Sequence, residues 1–141
     1  TTFAQPPVLT NAVIPVAPTR TIVCWQNGDS GCSRTKGGHA PMDKDAFASL
    51  ESSVQSASPN TFMMVERIKT GVNGQYLTSR QLTRIISLMK PNTFQMLEAV
   101  KIGAPHLVDP QNGAGMIAQE FSPNTFMGTE ATKIVSAQRA D

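Results

Sequence analysis

Aromatic residues other than phenylalanine are nearly missing from this chain, with one Trp and one Tyr in 141 residues. Seven Met and many small side chains take their place, a composition that fits packed helices better than a β-sandwich, which draws on aromatic and β-branched residues. No apolar run is long enough to form a membrane-spanning helix. The formal net charge is only +2, too small an excess to argue for a nucleic-acid partner. What excess exists lies in residues 1–41, where Arg20, Arg34 and Lys36 face only Asp29. There is no Asn-x-Ser/Thr sequon, so N-glycosylation is not expected.

Recognisable catalytic chemistry is equally scarce. Gly28-Asp29-Ser30-Gly31 has the form of a serine-protease nucleophile motif, but that mechanism needs a His base and a buried Asp brought to the Ser. In that family both precede the Ser, and here no His precedes Ser30. A disulfide-closed polar turn is the simpler account. Cys24, Cys32, His39 and His106 do not have the spacing of a zinc finger or knuckle. Asp109 and Glu120 stand at the first and twelfth positions of a calcium-type loop, yet Gln111, Gly113 and Ala114 occupy places that need oxygen ligands and the turn glycine. No catalytic residue, metal ligand or cofactor site is therefore assigned, and no small-molecule ligand is identified. The alternative is a hydrolase or metal-binding protein using the loop of Asp29, Ser30 and His39.

The positive signal is a repeat. Pro59-Asn60-Thr61-Phe62 recurs as Pro91-Asn92-Thr93-Phe94 and Pro123-Asn124-Thr125-Phe126, 32 residues apart each time. Glu66, Glu98 and Glu130 follow in register, as do Lys69, Lys101 and Lys133. A fixed period of this size marks a repeated supersecondary unit. Proline ends the preceding element, because it lacks the amide a helix would need. Asn60, Asn92 and Asn124 are strong helix N-caps, their side-chain oxygens placed to accept from amides of the next turn. Gln95 falls where a capping-box partner of Asn92 belongs, and Met64 and Met96 can pack back on the proline before the cap. Each Glu–Lys pair is spaced i,i+3 and predicts a weak surface ion pair.

Helix signals fill the intervals. Ala46, Phe47, Leu50, Val54 and Ala57 form an apolar stripe behind Asp43 as cap. A second helix is predicted from about Asn60 to Lys69, with Gly71 as its stop. In Leu77-Thr78-Ser79-Arg80-Gln81-Leu82, Thr78 caps, Gln81 completes a capping box and Leu77 staples to Leu82. Leu82, Ile85, Ile86 and Met89 are the buried face of that helix. Met96, Leu97 and Val100 mark a fourth helix stopped by Gly103, Met116 to Phe121 a short fifth, and Ile134 and Val135 a sixth ending near Gln138. None of the three helix pairs is large enough to bury its own apolar face, so the expectation is a mainly α bundle or stack of three pairs.

The N-terminal third differs. Residues 1–19 contain Pro6, Pro7, Pro15 and Pro18, which suit an extended path, and the apolar Val8, Leu9, Val13, Ile14 and Val16. Such an arm must be covered, either on its own domain or as a segment added to a neighbour. Residues 20–26 read as a strand by propensity, with Asn27-Gly28 starting a turn back to Cys32. Cys24 and Cys32 predict a disulfide and an oxidising compartment, rather than two free thiols. The boundaries are thus an arm over 1–19, a strand or hairpin and loop over 20–41, and a helical repeat domain over 42–141.

From about Pro41 to Ser136 the chain resembles the family named domain of unknown function 4476. The resemblance is carried by Met42 with Phe47, by Leu77 to Leu82 running through Ile86, by Leu97-Glu98-Ala99-Val100-Lys101, by Val108-Asp109-Pro110-Gln111-Asn112 and by Phe121. Members often look secreted, and no activity, cofactor or catalytic residue is implied. The chain departs from the family at its corners: Pro stands where the family has an aromatic residue, and Phe62, Phe94 and Phe126 follow three residues later. The departure predicts an outward role for these phenylalanines. Together these features predict a secreted, non-enzymatic structural or protein-interaction module, self-associating head to tail through its arm, into a fibre.

Overall fold

Each of the three corner asparagines opens a helix in the computed structural model, which describes residues 24–139. The arm residues Val8, Leu9, Val13, Ile14 and Val16 lie outside the described residues, as do positions 20–23 of the expected strand. Six α-helices follow in order: α1 (Lys44–Ser56), α2 (Thr61–Val72), α3 (Ser79–Ser87), α4 (Thr93–Gly103), α5 (Ala114–Gln119) and α6 (Thr125–Ser136). Successive helices pair as α1 with α2, α3 with α4 and α5 with α6. The pairs then stack, α2 on α4 on α6 in one layer and α1 on α3 on α5 in the other. The core lies between the layers and is made of side chains such as Ile68, Leu82, Ile86, Met96, Val100 and Phe121, all buried.

The corners are built alike. The peptide bond before Pro59, Pro91 and Pro123 is cis. The amides of Asn60, Asn92 and Asn124 donate back to the carbonyls of Ala57, Met89 and Phe121, closing a turn at 2.9, 2.9 and 2.7 Å. Each asparagine then caps the helix after it, accepting from the amide of Met63, Gln95 or Met127. Gln95 contributes only this amide; the reciprocal capping box is closed at α3, between Thr78 and Gln81.

Gly71 does not stop α2, which continues to Val72 and is capped by Asn73. Its role is steric. A Cβ at Gly71 would overlap the Leu50 side chain on α1, and one at Gly103 would overlap Leu82 on α3. Residues 50 and 82, like 71 and 103, are one repeat apart, so the same contact sets the approach of the helices in the first two pairs. Ala46, expected in the buried stripe of α1, is exposed, because α1 ends its layer and among the described residues no helix packs on that side. The Glu–Lys pair forms as Glu98–Lys101 at 3.1 Å and Glu130–Lys133 at 3.2 Å, but not between Glu66 and Lys69. Such exposed pairs are worth so little that nothing holds a third in place.

The stack closes at both ends by substitution at equivalent positions. Val65, Ile68 and Val72 lie on the stripe of α2 that begins at Thr61 and faces α4; their counterparts are Leu97 and Val100 on α4 and Ala104 just past its end, and all six are buried. On α6 the same positions carry Thr129, Thr132 and Ser136, with no further helix to meet among the described residues. At the other end, Arg67 stands where α4 and α6 have the fully buried Ala99 and Ala131. Its guanidinium donates to the Ser53 carbonyl at 3.0 Å and the Ser56 hydroxyl at 2.9 Å. Polar outer faces of this kind are what terminal repeats need.

The N-terminal segment is tied to α1 and α3. Cys24 and Cys32 form a disulfide, with Cα atoms 5.6 Å apart. The described part of the expected strand, Cys24 to Gln26, bends instead of pairing. The short disulfide loop and the packing of the half-buried Trp25 against Phe47, ring centroids 4.7 Å apart, dictate that path. Among the described residues β-pairing is limited to two isolated bridges, Lys36 with His39 and Leu77 with Leu107. The first encloses Gly37 and Gly38, both at positive φ, which a tight reversal of this kind requires.

Candidate interaction surface

Phe62, Phe94 and Phe126 are the second residues of α2, α4 and α6. Their relative exposures are 74, 73 and 70%, unusual for so large an apolar side chain and repeated three times over. The cause is helical phase. Positions 62, 66 and 69 share one face of α2, since residues four and three apart line up on a helix. That face therefore carries Phe62, Glu66 and Lys69, and the equivalent faces carry Phe94, Glu98 and Lys101, then Phe126, Glu130 and Lys133. The core-directed stripe lies elsewhere on the helix, through Met64, Val65, Ile68 and Val72.

A ladder between corners puts the phenylalanines on one edge. The Asn92 side-chain amide donates to the Thr61 hydroxyl at 3.0 Å, and that of Asn124 to the Thr93 hydroxyl at 3.4 Å. The N-termini of α2, α4 and α6 are therefore side by side and point the same way. Packed helices lie about 8–10 Å apart, so the rings form a row with about that spacing. Met63, 44% exposed, widens the apolar surface at the first position. Between the second and third corners a cleft of about 450 Å³ is lined by Pro91, Thr93, Met96, Phe121 and Pro123. The Lys90–Glu120 ion pair, 2.8 Å long, stands at its margin.

The opposite edge holds the residues with more evident chemical potential, and their partners are internal. The Asp29 carboxylate accepts from Trp25 Nε1 at 2.7 Å, the Gly31 amide at 2.9 Å and the Thr78 hydroxyl at 2.6 Å. Asp109, 2% exposed, accepts from the Ser79 amide at 2.7 Å and from the Asn112 side chain at 3.3 Å. Burial raises the Asp109 carboxyl above its ordinary value, and the Asp29 carboxylate adds to this; hydrogen bonds from Ser79 and Asn112 oppose it. Gly31 fits against this group with no room for a Cβ. Gln81 reaches from α3 to the Met42 carbonyl at 3.0 Å. The cluster thus fastens the disulfide loop and the segment before α1 onto the N-terminus of α3, where the helix favours negative charge.

Ser30 and His39, the other members of the alternative hydrolytic loop, are exposed. The Ser30 carbonyl accepts from Ser33, and the His39 ring stacks on Tyr76 at 4.8 Å. His106 contacts the Gln75 carbonyl at 2.7 Å. Among the described residues no group of three or more His, Cys, Asp or Glu is placed to hold a metal ion, and no helix is long and apolar enough to cross a membrane.

The outward role expected for the phenylalanines rested on the corner pattern; the signal that marks their exposure directly is the helix face each shares with a glutamate and a lysine. The tie between Asp29, Thr78 and Asp109 was not, since those positions are brought together only by the stack. No family model, curated protein or solved structure matches the chain.

Proposed function

We propose that this chain is a structural, protein-interaction module of the domain of unknown function 4476 family, secreted, non-enzymatic, and self-assembling head to tail through residues 1–19 into a fibre. The observation that carries the interaction role is the row of three phenylalanines, each more than two-thirds exposed, held in register by the corner ladder. Apolar surface repeated at one edge of a rigid stack is characteristic of a binding face. The disulfide supports an oxidising location. Self-association draws its support from the apolar, Pro-rich arm, and the polar ends of the stack favour an arm over end-on stacking as the means of growth.

Light scattering and negative-stain imaging of the full chain and of a chain lacking residues 1–19 test this. The full chain is expected to assemble and the truncated chain to remain monomeric. An unchanged assembly state after truncation would refute it.

A further inference from the structure

We propose that the row formed by Phe62, Phe94 and Phe126 is the acceptor for the arm of a second copy, which docks there as a polyproline II helix, one turn to each phenylalanine. The inference rests on the head-to-tail reading above and identifies the surface that reading requires.

The two spacings agree. Adjacent rings sit on helices packed about 8–10 Å apart. A polyproline II helix has three residues per turn and rises about 3.1 Å per residue, hence about 9.3 Å per turn. A segment laid across the row presents the same side to each ring every third residue. In the arm, every third residue from Pro6 is apolar: Pro6, Leu9, Ala12, Pro15 and Pro18. Five positions exceed the three the row needs, so the match tolerates a slip of one turn. No charged residue occurs before Arg20, so nothing in the arm opposes burial against rings. Aromatic surfaces recognise Pro-rich segments in this way because the ligand loses little entropy on docking. Addition of the arm as a β-strand has no template at this edge, where the described residues are all turn and helix.

Position in the fold favours a second copy over the same chain. The described chain begins at Cys24, beside Trp25, which packs on Phe47 near the start of α1. Asp29 lies at the N-terminus of α3. The row lies at the other edge, where α1 has ended. With 13 residues in α1, the edges are about 20 Å apart. Each copy therefore has the root of its arm, at Cys24, at one edge and its acceptor at the other, an arrangement that propagates without closing if arms dock on neighbouring copies. Docking within one chain would spend the residues just before Cys24, at about 3.1 Å each, on crossing that distance.

Sedimentation velocity on full chains tests the pairing. The row variant carries Phe62→Ser, Phe94→Ser and Phe126→Ser, all at exposed sites, with folding checked by circular dichroism. The stripe variant carries Leu9→Asp and Ala12→Asp, and its control carries Thr10→Asp and Asn11→Asp, off the stripe. Wild type and control should assemble, and each of the other two should be monomeric alone. Mixed in equal amounts, these two should form a heterodimer and nothing longer, because one supplies only an arm and the other only a row. A row variant that assembles as wild type does overturns the inference, and leaves the arm reading standing if the stripe variant is monomeric. A mixture that stays monomeric also overturns it. Assembly of both variants overturns the inference, and the arm reading falls with it if the chain lacking residues 1–19 also assembles. A wild type that is monomeric at every concentration, with its arm on its own row or with the row engaging only lipid vesicles, overturns both as well.

Discussion

Replacing the corner asparagines one at a time separates two contributions that the repeat combines. Asn60→Ala removes a cap alone, because among the described residues the Asn60 side chain serves only its own helix. Asn92→Ala removes an equivalent cap and also the 3.0 Å hydrogen bond to Thr61. Asn124→Ala removes a cap and a longer bond, 3.4 Å, to Thr93. Loss of an asparagine cap costs about 1 kcal/mol. An exposed side-chain hydrogen bond adds about 0.5–1 kcal/mol at most. The expected costs are therefore about 1 kcal/mol at Asn60, about 1.5–2 kcal/mol at Asn92, and between these at Asn124. For a chain of this size 1 kcal/mol corresponds to a fall of about 3–5 °C in Tm. Urea denaturation, with unchanged slope, gives the differences directly. A double-mutant cycle with Thr61→Val isolates the bond, and its coupling energy should be about 0.5 kcal/mol or more. Equal costs at the three sites, with no coupling between Asn92 and Thr61, would refute the ladder as a source of stability.

Glycines in helices should respond to alanine with opposite signs. Gly71→Ala forces a methyl into Leu50 and should cost about 1–2 kcal/mol net, since overpacking outweighs the gain in helix propensity. Gly115→Ala meets open space and should stabilise by up to about 1 kcal/mol, so a loss in urea denaturation there would contradict the packing of α5. Asp109 gives a pH signature. Its folded-state carboxyl is raised above the unfolded value, so the native state binds the proton more tightly. Its contribution is fully present below the unfolded value and is lost as pH rises through the folded one. Wild type should therefore gain stability relative to Asp109→Asn as pH falls from 7 toward 4, and a difference independent of pH would refute the assignment.

Local chemistry made the corners legible. Pro, Asn and the following helix act through neighbouring backbone, so their consequences do not wait on tertiary structure. The same holds for the capping box of Thr78 and Gln81. Gly71 misled because one residue type serves two purposes. As punctuation it would end α2, but the Leu50 side chain makes it a packing position, and only the neighbouring helix distinguishes these. The strand expected over 20–26 followed side-chain propensity, which a short disulfide loop and the docking of Trp25 override in its described part.

By itself the sequence determined the period and the starts of the helices that a side chain caps, because each depends on residues within a turn or two of one another; α5, expected from Met116, starts instead at Ala114, where no side chain caps it. Tertiary structure alone decided that the corners share an edge, that Arg67 and the Thr129, Thr132 and Ser136 stripe close the stack, and that Asp29 meets Thr78 across 49 positions. Those outcomes depend on which surfaces exclude water together, a property of the assembled helices that no local pattern encodes.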